Sequence, residues 1–283
     1  MDSEPLTSFT RDGLSFQVHD SGPRTGEAVV LLHGFPEDSS SWDAVVPLLH
    51  EAGLRSLALD QRGYSPGAQP SRVVDYAGDE LVADVLALAD AAGLERFHLV
   101  GHDWGGGVAW QVAQQAPHRL ASLTVLATPH PGAMLKASRR SNQALRSWYM
   151  LAFQLPRVPE LLLSRTMERT LTRTGLEGRH ARRYAARFAA PASLTGPINW
   201  YRALTRRTPG RGPGPMATVA VPTTYVWGNR DFALGRAAAQ ATAAHVGADY
   251  RFVELDQGHW LPEHAPDLVA REIIARVGGN VSA

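Results

Sequence analysis

Phe97-His98-Leu99-Val100-Gly101-His102-Asp103-Trp104-Gly105-Gly106-Gly107 joins an apolar run to a cluster of glycines with one acidic side chain between them. Phe97 to Val100 reads as a strand, and Gly105 to Gln115, ended by Pro117, reads as a helix. The connection has the form small-x-Asp-x-small. Its glycines permit a sharp elbow that lifts the central side chain above the sheet, and the helix N-terminus that follows supplies amide donors. A helix N-cap is the competing reading for a lone aspartate in such a position, so the surroundings must decide.

Working outward, Leu14 to His19 alternates apolar with polar residues, while Ala28 to Leu32 and Leu54 to Leu59 are short apolar runs bounded by glycine, proline or charge. All three read as strands. Between Asp79 and Ala92, residues Leu81, Val82, Val85, Leu86 and Ala89 recur at helical spacing before Gly93. Leu120 to Leu126 follows as a strand. After an interruption, strand and helix alternate again through Thr223 to Trp227, Gly235 to Val246, Tyr250 to Leu255 and Pro266 to Val277. This alternation predicts an α/β fold, a mostly parallel central sheet flanked by helices.

The interruption begins near Met134. Ser138 to Arg211 offers amphipathic helical stretches punctuated by Pro156, Pro159, Pro191 and Pro197, and a proline- and glycine-rich linker, Arg207 to Pro215, closes it. The expected organisation is a core of residues 1–133 and 215–283 carrying an inserted helical cap, residues 134–214. Charge divides at the same place. Between Met134 and Gly214, sixteen Lys or Arg face only Glu160, Glu168 and Glu177, a net of +13, which leaves −12 on the rest of a chain whose total is +1. Opposite signs attract, so pairing between cap and core, or a solvated helical face, is expected. No nucleic-acid-binding signature accompanies the basic stretch.

Absence of cysteine rules out disulfides, thiolate zinc sites and cysteine nucleophiles. No apolar run approaches the ~20 residues that span a bilayer, and Met1 to Thr10 mixes acids with proline instead of offering a secretory signal. A cytoplasmic protein without membrane insertion is the expectation, as monomer or homodimer.

Asp103 is joined by two other residues just after predicted strands: Asp231 after Thr223–Trp227 and His259 after Tyr250–Leu255. Strand C-termini are where open α/β sheets place their sites. The order nucleophile, acid, histidine matches that of α/β-hydrolases, and the first gap, 128 residues long, contains the expected cap.

On the motifs His33-Gly34-Phe35-Pro36, Gly101-His102-Asp103-Trp104-Gly105-Gly106, Gly228-Asn229-Arg230-Asp231 and Gly258-His259-Trp260, the chain resembles the epoxide hydrolase family of the α/β-hydrolase fold, with kin among haloalkane dehalogenases. The resemblance covers nearly the whole chain. It implies that Asp103 is the nucleophile, that Asp231 and His259 complete a triad, and that the backbone amides of Phe35 and Trp104 form an oxyanion hole. Tyr149, in Tyr149-Met150-Leu151-Ala152-Phe153, and Tyr201, in Asn199-Trp200-Tyr201-Arg202, stand in segments like those bearing the paired ring-opening tyrosines of that family. His33, Pro36, Trp104, Phe153, Trp200 and Trp260 are expected to line the substrate pocket.

The nucleophile narrows the chemistry by itself. A carboxylate with a pKa near ~4 is already ionised at neutral pH and needs no base to attack. On an ester carbonyl it would form an anhydride, an energetically poor route; on a saturated carbon it forms a stable alkyl ester, which fits epoxides and alkyl halides. His259 is then free to activate water while Asp231 steadies its ring. The expected partners are a small-molecule epoxide and water, with no cofactor. Halide cleavage stays open as an alternative, with Trp104 as first halide donor and Trp148 or Trp200 as a second. So does a non-catalytic binding protein on the same fold.

Other features receive structural readings. His33, His102 and His130 are expected to fix loops through hydrogen bonds, and Asp60-Gln61-Arg62 to brace the site through an Asp–Arg pair. No metal site is expected at His259 and His264, and the glycines of residues 101–107 lack the dinucleotide fingerprint.

Overall fold

A computed structural model describes residues 4–140, 148–206 and 217–279. Eight strands form one sheet in the order β1-β2-β4-β3-β5-β6-β7-β8. They are β1 (Ser8–Arg11), β2 (Leu14–Ser21), β3 (Ala28–Leu32), β4 (Arg55–Leu59), β5 (Phe97–His102), β6 (Leu120–Leu126), β7 (Thr223–Gly228) and β8 (Tyr250–Leu255). Only the pairings β1–β2 and β2–β4 are antiparallel. From β4 to β8 the sheet is parallel.

Every residue of β3, β4, β5 and β7 is buried, as parallel strands covered on both faces must be. Successive side chains serve opposite layers. Val30 and Leu32 pack with Leu81, Val85 and Val108 from the helices Gly78–Ala91 and Trp104–Gln115, whereas Val29 and Leu31 pack with Leu49 and Ile273 from Val46–Glu51 and Pro266–Gly278.

Sheet order creates the crevice. From β3 the chain moves to β4 on one side, and from β5 to β6 on the other, although β3 and β5 are neighbours. Their C-terminal loops therefore diverge, and a concavity opens at the switch point. His33-Gly34-Phe35-Pro36 and the Asp103 elbow lie there.

The elbow requires glycine at specific places. Asp103 sits at φ 47° and ψ −117°, a conformation L residues rarely adopt and one that persists only where its surroundings hold it. The helix it launches lies so near β3 that a Cβ on Gly105 would meet Leu32 O at 2.3 Å. Because that neighbour is backbone in a buried sheet, Gly105→Ala should cost about 3 kcal/mol. In thermal unfolding followed by circular dichroism, Tm should fall by roughly 5–10 °C; an unchanged Tm would refute the tight approach.

Between β6 and β7 the described residues form helices: Pro131–Arg140, Trp148–Ala152, Val158–Arg173, Gly178–Arg187 and Pro191–Ala203. The first of these crosses the boundary expected at residues 133/134, and the linker expected at Arg207 to Pro215 lies outside the described residues. Cap and core charges do meet. Arg183 lies 2.9 Å from Asp43, and Arg187 bridges Asp38 and Asp60 at 3.0 and 3.2 Å. The Asp60–Arg62 pair expected from sequence is not made, because Arg62 turns to the buried Asp84 at 2.7 Å while Asp60 accepts from the Ser39 amide. The strand β1 and the helix Val46–Glu51 had no sequence signal. The expected helix Gly235–Val246 divides into Arg236–Ala241 and a 3-10 turn, Thr242–His245.

Candidate active site

The sheet brings Asp103, Asp231 and His259 together from the ends of β5, β7 and β8. His259 Nδ1 lies 2.8 Å from Asp231 Oδ2, and its Nε2 lies 3.4 Å from Asp103 Oδ2. Asp231 is fixed in turn, since its Oδ1 accepts the amides of Ala233 and Leu234 at 2.7 and 2.9 Å. The two oxygens of Asp103 have different surroundings. Oδ2 faces the imidazole, whereas Oδ1 accepts the Phe35 amide at 3.0 Å. Trp104 opens the helix after the elbow, so its amide has no intrahelical partner.

Burial alone would raise the Asp103 pKa, but the hydrogen bond and charge of His259, the charge of His102 and the Phe35 amide hold it below the ordinary carboxylate value. His259 moves the opposite way. Burial disfavours its cation, yet the charge of Asp231 and hydrogen bonds to both aspartates push it well above 6.5. Both shifts favour carboxylate beside imidazolium.

Aromatic rings gather around Phe35 and Trp104, the residues on either side of the Asp103 carboxylate. Tyr201 meets Trp104, Phe35 and Phe153 edge-on at centroid separations of 4.9, 5.3 and 4.8 Å. Tyr149 lies 6.0 Å from Tyr201. Desolvation first, and then the charges of Asp103 and Asp231, push the Tyr149 phenol above its usual value. Tyr201 rises for the same first reason, with Tyr149 and Asp103 adding to it. Both phenols thus remain protonated donors at neutral pH. Helix Pro191–Ala203 reaches this position because Gly196 abuts Gly63 backbone to backbone: a Cβ on Gly196 would meet Gly63 Cα at 2.7 Å. Arg202 ties it to the Phe153 and Leu155 carbonyls and to Glu160.

Of the other expected pocket residues, Trp260 and Trp200 approach the centre, at 5.2 Å from His259 and 5.5 Å from Trp104. Trp200 donates its N–H to Arg62 O at 2.9 Å. Pro36 is buried beside Phe35. His33 is completely buried, with Nε2 accepting the Gln61 amide and Nδ1 against Gly34 O; it braces the loop and has no surface left to present to a pocket. Phe232, 5.2 Å from His259 and partly exposed, was not foreseen.

Sequence reasoning also missed a buried polar cluster behind the triad. Glu37 takes the Gly34 amide at 2.7 Å, and His102 Nδ1 lies 3.0 Å from its other oxygen. His102 Nε2 lies 2.9 Å from His259 O. Both ring nitrogens face acceptors, and although burial opposes the cation, the charge of Glu37 and its hydrogen bond raise the His102 pKa. Burial and the neighbouring Glu37 push Glu263 up to about 8, and Tyr184 from the helix Gly178–Arg187 donates to it at 2.8 Å. A carboxylate within His33-Gly34-Phe35-Pro36-Glu37 was the available signal. Among the described residues, no group of His, Cys, Asp and Glu is arranged to hold a metal.

Comparison with known proteins agrees with this fold. The family model described as alpha/beta hydrolase fold matches residues 27–266. AB hydrolase superfamily protein YfhM of Bacillus subtilis is 33% identical, over 97% of this chain and 98% of its own length. Epoxide hydrolase 4 of Mus musculus is 33% identical over 91% of this chain and 74% of that protein. The crystal structure of epoxide hydrolase A from Mycobacterium thermoresistibile superposes with a TM-score of 0.83 at 28% identity, covering 98% and 99% of the two chains. An Asp elbow at the switch point, a triad in α/β-hydrolase order and whole-length similarity to these proteins have one common explanation: the chain belongs to the epoxide hydrolase family of the α/β-hydrolase fold.

Proposed function

We propose that this protein converts a small-molecule epoxide and water into a vicinal diol through an alkyl ester on Asp103. The observation that carries the reading is the unequal setting of the Asp103 oxygens, one facing His259 and the other taking the Phe35 amide. Oδ2 attacks a ring carbon, the carbon–oxygen bond of the epoxide breaks, and the departing oxygen takes a proton from Tyr149 or Tyr201. Oδ1 becomes the ester carbonyl oxygen. Water then loses a proton to His259 and attacks that carbonyl carbon, and negative charge collects on Oδ1 beside the Phe35 and Trp104 amides, as an oxyanion hole requires. The proton that His259 holds at rest passes through solvent to the tyrosinate once the ester has formed, so collapse releases the diol, restores the Asp103 carboxylate and leaves His259 protonated as it began.

The triad handles its own protonation. In the resting state both Asp103 and Asp231 favour imidazolium. Esterification removes the Asp103 charge, so the His259 pKa falls just when a neutral base is needed. Single-turnover ester hydrolysis is therefore expected to be fast above that pKa and to slow as pH drops through it; rapid-quench measurements across pH test this. Hydrolysis accelerating on acidification would exclude His259 as the base.

Halide cleavage is less well supported. Trp104 would serve as the first donor, but the Trp200 N–H is used by Arg62 O, and Trp148 is 66% exposed. Parallel assays with styrene oxide and a haloalkane decide between the readings. Diol formation by the native protein, lost in Asp103→Ala, is expected; halide release without diol would favour the dehalogenase, and neither product a binding protein.

A further inference from the structure

Seven of the ten exposed large hydrophobic side chains among the described residues fall between Trp148 and Leu204. They come from helices that follow one another in the chain and from the end of a third. Trp148, Leu151 and Leu155 follow one another at helical spacing, and Val158, Leu161 and Leu162 open the next helix. Leu204 joins them because Gln154 bonds both Tyr201 O and Thr205, and Arg202 bonds Leu155 O. Trp148, Leu151, Leu162 and Leu204 are each 59–76% exposed, more than scattered surface leucines need.

This surface is also cationic. Arg165 and Arg169 continue the line of Val158 and Leu162 along the helix Val158–Arg173, and Arg157 and Arg206 are exposed near its apolar end. Among the described residues, no carboxylate lies within ion-pair distance of these four arginines. Glu168 lines the same groove as Arg165, Arg169 and Arg173, where the arginines outnumber it, and lies 3.9 Å from Arg182.

We propose that this face of the cap docks on an anionic phospholipid surface, with leucines and Trp148 entering the headgroup–acyl boundary and arginines meeting the phosphates. Leucine and tryptophan beside arginine is the composition of interfacial helices, and arginine stems can lie along lipid while their heads stay in the charged layer. A second copy is a poorer occupant, because a two-fold contact sets the same arginines against each other. Nucleic acid would satisfy the arginines and leave the leucines exposed. Docking needs no spanning segment, and no described helix is long and apolar enough to cross a membrane.

The test is co-sedimentation of the full chain with vesicles of phosphatidylglycerol and phosphatidylcholine, against vesicles of phosphatidylcholine alone; it requires no substrate and is independent of the epoxide reading. The protein should pellet with the anionic vesicles at about 50 mM salt and be largely released at about 500 mM, where screening is short-ranged. Leu151→Ser/Leu162→Ser and Arg165→Glu/Arg169→Glu should each weaken binding at least about tenfold while unfolding at the wild-type temperature. Salt-independent pelleting with both vesicles, no pelleting, or unchanged binding by both folded variants would overturn the proposal. So would a dimer in sedimentation velocity that Leu151→Ser/Leu162→Ser abolishes, or binding of a short DNA duplex without binding of vesicles.

Discussion

His259→Gln mixed with styrene oxide should gain the mass of one epoxide on Asp103 and turn over roughly 10³-fold more slowly than the wild type, or worse. The effect is large because the two chemical steps place different demands on the histidine. Attack needs only an ionised Asp103, whose Oδ1 keeps the Phe35 amide in the variant. Hydrolysis needs a base at the ester, and the imidazole beside Asp103 Oδ2, anchored by Asp231, is the group positioned for it. Glutamine preserves much of the volume and can still hydrogen bond, but it cannot accept the proton from water. Intact-protein and peptide mass spectrometry should locate the adduct on the peptide containing Asp103. Rapid turnover without adduct would remove the ester mechanism while leaving the fold assignment intact.

Tyr149→Phe/Tyr201→Phe should lower the rate of epoxide opening by roughly 10²–10⁴-fold with little change in Tm. Opening a strained ring produces an alkoxide, and without a proton or strong hydrogen bond that charge develops in a site walled by Phe35, Trp104 and Phe153. Each phenol is held protonated by burial and by the nearby carboxylates. Removing both hydroxyls retains the edge-on ring packing around Tyr201, so the loss should appear in ester formation and not in hydrolysis of ester already formed. Stopped-flow separation of the two steps checks this. An equal slowing of both steps would mean that the tyrosines support the site in general instead of serving the leaving oxygen.

The extent to which sequence anticipated this protein varies with the range of the interaction. Local patterns were enough for the parallel strands: β3 and β6, covered on both faces, are short apolar runs, the edge strand β8 mixes apolar and polar residues, and all three match the predicted bounds. β1 eluded detection because four residues pairing only at an edge carry no such pattern. Asp103, Asp231 and His259 were legible because each follows a strand directly, and a parallel sheet aligns strand ends whatever their separation in the chain.

What sequence did not determine was how buried polar groups choose partners. Arg62 was expected to pair with Asp60, two residues away, but adjacent positions in a loop need not face each other, and packing delivered Asp84 instead. Glu37 and Glu263 resemble ordinary surface acids in sequence. They become a buried cluster with His102 only because the loops after β3, β5 and β8 converge at the switch point. By itself, then, the amino-acid sequence determined the α/β fold, the elbow carrying Asp103 and the order of the residues that gather about it, since these rest on periodicity, glycine and strand ends. Only the tertiary structure decided which Asp103 oxygen faces His259, which way the buried histidines shift and which cap arginines meet core carboxylates, because desolvation and charge act through space on groups far apart in the chain.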